Sequence, residues 1–122
     1  MEVLVSVLLL SFGILGLVGL QARAIGFSVD AEDRNRAALL ANDIASDIWL
    51  NRSVTVPADT LKNWQAKVGN AGAAGLPNGE VTVTAVAGTT NSADIRITWR
   101  APSRKTAEAG SVLSTRVTVN LP

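Results

Sequence analysis

The sequence predicts an α+β protein in which one long amino-terminal α-helix packs on a small antiparallel β-sheet. Three observations lead to this prediction. An uncharged apolar run opens the chain, and an apolar repeat with helical spacing follows it. Short segments of alternating apolar and polar residues then occupy the last third of the chain. With 122 residues, the chain is long enough for one domain.

Residue types that the chain lacks exclude several kinds of chemistry. There is no His, no Cys and no Tyr. Imidazole-based acid–base catalysis, thiol nucleophiles, thiolate metal sites and disulfides are therefore excluded. The net charge of +1 indicates neither nucleic acid nor a polyanionic substrate as a partner. Since no pair of nucleophile and base is visible, we expect no enzyme activity, no cofactor and no metal site.

Residues 1–22 are the apolar half of the predicted helix, a membrane or filament-core segment. Residues 3–22 carry no charge, and all but one of the charged residues of the chain follow from Arg23 onward. Twenty residues at about 1.5 Å each span about 30 Å, the hydrocarbon thickness of a bilayer. A secretory signal peptide begins with a basic region, whereas Glu2 precedes this run. The pattern therefore favours a transmembrane or filament-core helix.

Two features distinguish this segment from a simple membrane anchor. Glu2 either lies favourably at the helix N-terminus, where the dipole attracts negative charge, or is a buried charge that needs a cationic partner. Gly13, Gly16 and Gly19 each cost about 1 kcal/mol of helix propensity relative to Ala. They indicate a weak stretch of helix or a surface that another helix approaches closely, or they reflect the general frequency of glycine in membrane helices.

The first residues also carry a specific motif. The sequence has EVLVS at residues 2–6 and, after an aliphatic run, LGLVGLQ at residues 15–21. These residues resemble the amino-terminal signature of type IV pilins and, more narrowly, of PilV-type minor pilins, the type IV pilus modification proteins. A glutamate close to the amino terminus is the mark of that family, and Glu2 matches it. The sequence departs from the family pattern at its start, where Met1 directly precedes Glu2.

The resemblance implies a type IV pilin-like fold and a structural role in type IV pilus assembly and initiation, at or near the pilus tip. It implies that Glu2 pairs with the amino terminus of a neighbouring subunit, and that the glycines provide helix flexibility or close packing. The implied partners are other minor pilins and the major pilin, through the amino-terminal helix. The implied precursor is processed by prepilin peptidase and N-methylated. Before assembly, the protein would lie in the bacterial inner membrane as a single-pass protein with a periplasmic carboxy-terminal domain.

Two other functions stay open at this point. A minor pseudopilin of a type II secretion system has almost the same amino-terminal signature and a similar length. A membrane-tethered binding module or adhesin would use the arginines of the sheet or the glycine-rich loop described below. The small sheet, and a Trp-containing helix that leads into a Leu-Pro-x-Gly turn, favour the PilV-type interpretation.

Residues 23–122 are predicted to form a globular domain, and residues 23–52 are its helical part, ending near Asn51. One apolar face of this helix has the spacing i, i+3, i+4, i+7, i+11 and consists of Ala37, Leu40, Ala41, Ile44 and Ile48. The charged residues on the other faces are Asp30, Glu32, Asp33, Arg34, Arg36, Asp43 and Asp47. We interpret them as a solvated face and not as a cation site, because no loop with calcium-ligand spacing is present.

Residues 53–79 are predicted to connect the helix to the sheet. They contain a short helix over Leu61–Val68, with Asp59 or Thr60 as its cap. The segment 69–75 that follows is rich in glycine and alanine and is expected to be flexible, and an LPNG turn ends the region. A glycine-rich loop can hold phosphate, but this one lacks the following Lys-Ser/Thr and a preceding strand. No phosphate site is therefore expected.

Residues 80–122 are predicted to form the antiparallel sheet. The predicted strands are Glu80–Ala87, Asp94–Ala101 and Val112–Leu121, in which apolar and polar residues alternate. A short hairpin loop over Gly88–Ser92 joins the first two strands, and a longer polar loop over Pro102–Ser111 joins the last two. Such alternation is typical of a sheet with one buried and one solvated face.

Two sets of side chains in this domain could bind a partner. Arg96, Arg100 and Arg116 would form a basic stripe on the solvated face, which we interpret as serving solubility and edge protection. The tryptophans are Trp49, Trp64 and Trp99. We expect them to be core residues between helix and sheet, since aromatic side chains bury large apolar areas.

Overall fold

The computed structural model describes residues 1–102 and 110–120. Its helices are α1 (Glu2–Asn51) and α2 (Ala58–Gly69), and its strands are β1 (Glu80–Ala85), β2 (Ser92–Trp99) and β3 (Ser111–Thr118). The predicted α+β class is thereby confirmed. Most of the predicted polar loop between the last two strands, and Leu121 at the end of the last one, lie outside the described residues.

The chain divides into two compact units by its internal contacts. They are Met1–Glu32, here called the amino-terminal unit, and Asp33–Pro122, here called the carboxy-terminal unit. The sequence suggested a division at residue 22, where charge begins. Residues 23–32 are charged in part but are exposed on every side, so contacts place the division later than charge does.

Helix α1 is continuous from Glu2 to Asn51, as predicted. No proline interrupts it. It ends where Arg52 adopts a left-handed φ of 49° and donates its backbone N–H to the carbonyl oxygen of Trp49 at 3.2 Å. A residue in this conformation stops the helical hydrogen-bond pattern.

The core of the carboxy-terminal unit lies between the last part of α1 and one face of the sheet. The predicted apolar face of α1 is buried throughout, at Ala37, Leu40, Ala41, Ile44 and Ile48. Ile95 and Ile97 of β2 are fully buried in the same cluster. Asp33 corrects one expectation, because it is 6% exposed and not on a solvated face. It lies one helical turn before Ala37 and therefore shares the buried face.

The sheet has the order β1-β2-β3, and both pairs are antiparallel. Alternation is as predicted: Ile95 and Ile97 are buried, whereas Arg96 between them is exposed. Strand β2 begins earlier than predicted, at Ser92, which the sequence assigned to the hairpin loop. Ser92 pairs with Thr118, and their hydroxyl groups lie 3.0 Å apart. This cross-strand contact lies outside any local pattern and extends the strand.

Helix α2 differs from its prediction at the start. It begins at Ala58, directly after Pro57, and no side chain caps it. Asp59 and Thr60 are therefore wrong as caps and lie inside the first turn. The ring of Pro57 fixes its φ near the observed −59°, and its carbonyl oxygen accepts the N–H of Leu61 at 3.0 Å. Asp59 still gains from the positive end of the helix dipole.

The glycine-rich segment after α2 is organised by backbone hydrogen bonds. The N–H groups of Ala73 and Gly75 both donate to the carbonyl oxygen of Asn70, at 3.1 and 2.9 Å. The N–H of Leu76 donates to the carbonyl oxygen of Val68 at 2.8 Å, and the Leu76 side chain is fully buried. A Cβ at Gly75 would lie 2.6 Å from the Asn70 carbonyl oxygen, so this position requires glycine.

Candidate functional site

The amino-terminal unit presents an exposed apolar surface. Each of residues 1–32 is exposed. The exposed side chains include Leu4 at 71% and Phe27 at 72%. Helix α1 is long and apolar enough to span a membrane, and the apolar window that meets this criterion is 0% buried. These properties are compatible with a single membrane anchor near the amino terminus.

An apolar surface of this extent requires apolar surroundings. Leaving a large aliphatic or aromatic side chain in water costs about 1.5–3 kcal/mol relative to burial. Soluble monomers seldom expose contiguous apolar patches larger than a few hundred Å². A bilayer and a bundle of other apolar helices both meet the requirement. The amino-terminal unit is therefore the part of the described chain whose exposed surface is suited to such surroundings.

Glu2 is the first residue of α1 and is exposed. Helical hydrogen bonding starts beside it, where the N–H of Val5 donates to the carbonyl oxygen of Met1 at 3.1 Å. Its carboxylate lies in the first turn, where the helix dipole favours negative charge. Among the described residues no hydrogen bond or ion pair involves this carboxylate. Pairing of Glu2 with a neighbouring subunit stays a prediction.

Gly13, Gly16 and Gly19 lie along one row of the helix surface, three residues apart. A Cβ atom built on any of them meets no atom within 4 Å. No contact within the described residues therefore requires glycine at these positions, and the helix runs through them without a break. Glu2 lies about 16 Å from the start of this row at about 1.5 Å of rise per residue. The candidate assembly residues are thus two separate features of one helix.

The predicted basic stripe on the solvated face of the sheet contains an ion pair. Arg116 donates from Nε to Oδ1 of Asp94 at 2.7 Å and from Nη2 to Oδ2 at 3.1 Å. This hydrogen bonding holds the pKa of Asp94 below its ordinary value and raises the pKa of Arg116. Arg96 is exposed on the central strand, whereas Arg100 is half-buried beyond its end. The positive charge of the predicted stripe is therefore offset at Arg116 by the carboxylate of Asp94.

Two of the tryptophans are core residues, as predicted, and one is not. Trp64 is 7% and Trp99 is 4% exposed, but Trp49 is 53% exposed. Trp49 follows a core residue of α1 and is rotated away from the sheet by the helical step. The indole Nε1 of Trp64 donates to Oδ2 of Asp47 at 3.1 Å, and the guanidinium of Arg34 lies 5.9 Å from the ring centre of Trp99.

Some of the acidic side chains of α1 take part in structural contacts. Asp43 forms an ion pair with Lys67 of α2 at 2.9 Å, and Asp47 accepts the indole hydrogen bond of Trp64. These contacts join α1 to α2 at the surface of the carboxy-terminal unit. Over residues 1–102 and 110–120, no group of three or more His, Cys, Asp or Glu side chains is placed to hold a metal ion.

Gln65 forms a structural contact between α2 and the sheet that the sequence gave no reason to expect. Its Nε2 donates to the carbonyl oxygen of Gly79 at 3.0 Å, and its Oε1 accepts the N–H of Val81 at 2.9 Å. Both ends of one amide therefore join α2 to the start of β1. A glutamine on a short helix carries no local signal for such a contact, because its partner strand is set by the tertiary fold.

The arrangement of a long amino-terminal helix on a small antiparallel sheet is consistent with a pilin-like fold. Comparison with family models, with curated proteins and with solved structures finds no significant match to this chain. Its function is therefore inferred from the residues and contacts described above.

Proposed function

We propose that this chain is a minor pilin, a structural subunit that takes part in initiating assembly of a type IV pilus at or near the pilus tip. The observation that carries the proposal is the amino-terminal unit, a helical segment whose side chains are apolar for most of its length and exposed throughout. Such a segment is stable in a bilayer and in a bundle of similar helices. A pilin uses both environments in turn.

The continuity of α1 supports this proposal. One helix provides the apolar segment and, further along, the buried face from Ala37 to Ile48 on which the sheet packs. A simple anchor needs no helical continuity between membrane segment and domain. In a filament subunit, the same helix both holds the globular domain and enters the filament core, where heterologous contacts repeat without closing.

Glu2 supports a role in filament assembly in addition to membrane anchoring. An unpaired carboxylate at membrane depth costs a few kcal/mol or more. In a filament core, the positive amino terminus of a neighbouring subunit would neutralise it and relieve the burial cost of both charges. The row from Gly13 to Gly19 would let neighbouring helices approach closely or let α1 stretch on transfer from the membrane.

The proposal implies a location and a set of partners. Before assembly the chain would lie in the bacterial inner membrane, with the carboxy-terminal unit in the periplasm, after prepilin peptidase has processed its precursor. Its partners would be other minor pilins and the major pilin, through α1. Nucleic acid is not expected among them, because the net charge is +1.

The test is complementation of a deletion strain with charge variants. Glu2→Ala and Glu2→Gln should reach normal abundance in the inner membrane, because every buried residue of the core lies from Asp33 onward. Their incorporation into sheared pili, or the yield of pili, should fall about tenfold or more, since each 1.4 kcal/mol is a factor of about ten. Glu80→Gln, which removes the same charge from an exposed strand position, should behave as wild type.

Two results would contradict the proposal. Wild-type incorporation of both Glu2 variants would show that charge pairing is not needed for assembly. Normal piliation of the deletion strain with a defect in protein secretion would assign the chain to a type II secretion system as a minor pseudopilin. Normal piliation together with loss of surface attachment would instead indicate a membrane-tethered adhesin.

A further inference from the structure

Among the residues that the structure describes, strand β3 has a row of backbone groups without partners. It lies at one edge of the sheet, and the N–H of Val119, just beyond it, donates to the carbonyl oxygen of Asn91 at 2.8 Å. Hydrogen-bonded pairs alternate along an antiparallel ladder, so the odd-numbered residues of β3 bond to β2. The N–H and C=O groups that point away from β2 belong to Val112, Ser114, Arg116 and Thr118. Among the described residues nothing pairs with them.

The opposite edge of the sheet is treated differently. On β1, the outward N–H of Val81 is bound by the Gln65 side chain, which also holds the carbonyl oxygen of Gly79. The first residue of this strand, Glu80, is charged and exposed. Helix α2 and a charge therefore protect the start of this edge against pairing with another strand.

Within the described part of the chain, strand β3 lacks the usual features that prevent strand addition. Its sequence, SVLSTRVT, contains no proline and no lysine. Its one charged residue, Arg116, is bound to Asp94 of the neighbouring strand. On the inner face, Leu113 and Thr115 are half-buried and stand next to the open edge. The edge is thus available to a strand of compatible sequence.

We propose that β3 pairs in antiparallel orientation with β3 of a second copy of this chain, about a two-fold axis at Thr115. In this register Thr115 faces its own copy, a favourable Thr–Thr pair. Leu113 faces Val117, Ser114 faces Arg116, and Val112 faces Thr118. Every outward N–H and C=O of the four even-numbered residues then forms a hydrogen bond, and no like charges face each other directly.

Neighbouring registers are less favourable. Moving the axis to Arg116 places two guanidinium groups directly opposite each other, which is destabilising. Moving it to Ser114 leaves Thr118 opposite Gly110, before the start of the strand. Both shifts lose one of the four hydrogen-bonded pairs. The sequence of β3 is therefore best matched to itself at Thr115. The pairing is independent of the pilin proposal, because it uses the carboxy-terminal unit alone.

Single cysteine variants of the full chain in detergent micelles test the register directly, since the chain contains no cysteine. Residues facing each other in a non-hydrogen-bonded pair have Cα atoms about 4.5 Å apart, within the range of about 4.4–6.8 Å that a disulfide spans. Thr115→Cys should therefore form disulfide dimers under mild oxidation. Ser114→Cys and Arg116→Cys are matched controls, because each would face its own copy in a shifted register.

The expected result is at least tenfold more disulfide dimer from Thr115→Cys than from either control. Equal cross-linking of all three variants, preferential cross-linking of a control, or no dimer from Thr115→Cys would overturn the proposed pairing. If only one of the three variants forms disulfide dimers, the cross-link reports contact between the β3 strands, even if the amino-terminal helices also associate in the micelle.

A second measurement removes the contact without a cross-link. Ser114→Pro eliminates an N–H that points away from β2, whereas Ser114→Ala keeps it. Sedimentation in density-matched detergent should show dimers for wild type and Ser114→Ala and monomers for Ser114→Pro, with unchanged circular dichroism. A wild-type monomer at all concentrations, or a dimer that persists in a folded Ser114→Pro chain, would contradict the proposal. If Ser114→Pro fails to fold, the cysteine series decides.

Discussion

Replacing Ile48 with Ala should lower the free energy of unfolding of the carboxy-terminal unit by about 3 kcal/mol. Ile48 is 1% exposed and lies in the cluster between α1 and the sheet. The substitution removes three carbon atoms, which at about 0.8 kcal/mol each amounts to about 2.4 kcal/mol of lost burial. The cavity left behind adds to this cost, and measured Ile→Ala changes in cores fall at about 2–5 kcal/mol.

The assay is urea denaturation of a fragment that begins at Arg23, which retains every buried residue. Tryptophan fluorescence reports the transition because Trp64 and Trp99 are buried. The control is Leu50→Ala, since Leu50 is 79% exposed and surface substitutions change stability by about 0.5 kcal/mol or less. Ile48→Ala should also lower Tm by 10 °C or more, at about 4–8 °C per kcal/mol for a domain of this size. Equal effects of the two substitutions would refute the packing of α1 on the sheet.

Three further predictions concern the connecting region and the sheet. Gly79→Ala should destabilise the fragment by about 1–3 kcal/mol in urea denaturation, because the new methyl group would lie 2.5 Å from the carbonyl oxygen of Val68 in α2. The control Gly72→Ala should be neutral, because its new methyl group would lie 3.6 Å from the nearest atom. Gln65→Ala should cost about 1–3 kcal/mol, since it leaves a half-buried N–H of β1 unbound, and hydrogen exchange of that amide should accelerate. The Tm difference between wild type and Arg116→Ala should be constant from pH 7 to about 5 and shrink below about pH 4. The reason is that Arg116 lowers the pKa of Asp94 in the folded state, so the stability that this ion pair contributes is lost as the pH falls through that pKa.

The course of the main chain could be predicted where one signal dominates. Helix α1 follows from an apolar run, a helical repeat and the absence of proline over fifty residues. Alternation placed Ile95 and Ile97 in the core and Arg96 in solvent. Element ends were less predictable, because they depend on partners distant in the sequence. Ser92 belongs to β2 because it pairs with Thr118.

Side-chain roles were predictable in part. Trp64 and Trp99 are buried, but the exposure of Trp49 follows from its angular position on α1 and not from its residue type. The ion pair between Asp94 and Arg116 joins adjacent strands in a register that local sequence does not specify. The alternation of apolar and polar residues along β2 was the available signal, because it places Asp94 on the solvated face beside the arginines.

For the candidate assembly residues, the sequence is more informative than the structure of one chain. Glu2 and the row from Gly13 to Gly19 are recognisable in the sequence, yet within the described chain they have no contacts that would explain them. The role proposed for them depends on neighbours in another molecule or in the bilayer. The structure of one chain therefore supplies their spacing and exposure, and the proposed interactions would form only between subunits.

Thiol labelling of an apolar position before and after assembly tests the proposed function most directly. Leu8→Cys introduces the single cysteine of the chain in the amino-terminal unit, where Leu8 is 55% exposed. Ser46→Cys, at an exposed position of α1 in the carboxy-terminal unit, is the control. If the chain is a pilin subunit, both variants are recovered in sheared pili, and a membrane-impermeant maleimide labels Ser46→Cys but not Leu8→Cys in intact cells. The Leu8→Cys thiol should be protected in the isolated pili as well. Absence of both variants from the pili, or labelling of Leu8→Cys in the pilus fraction, would contradict the transfer of this helix from the bilayer to a filament core.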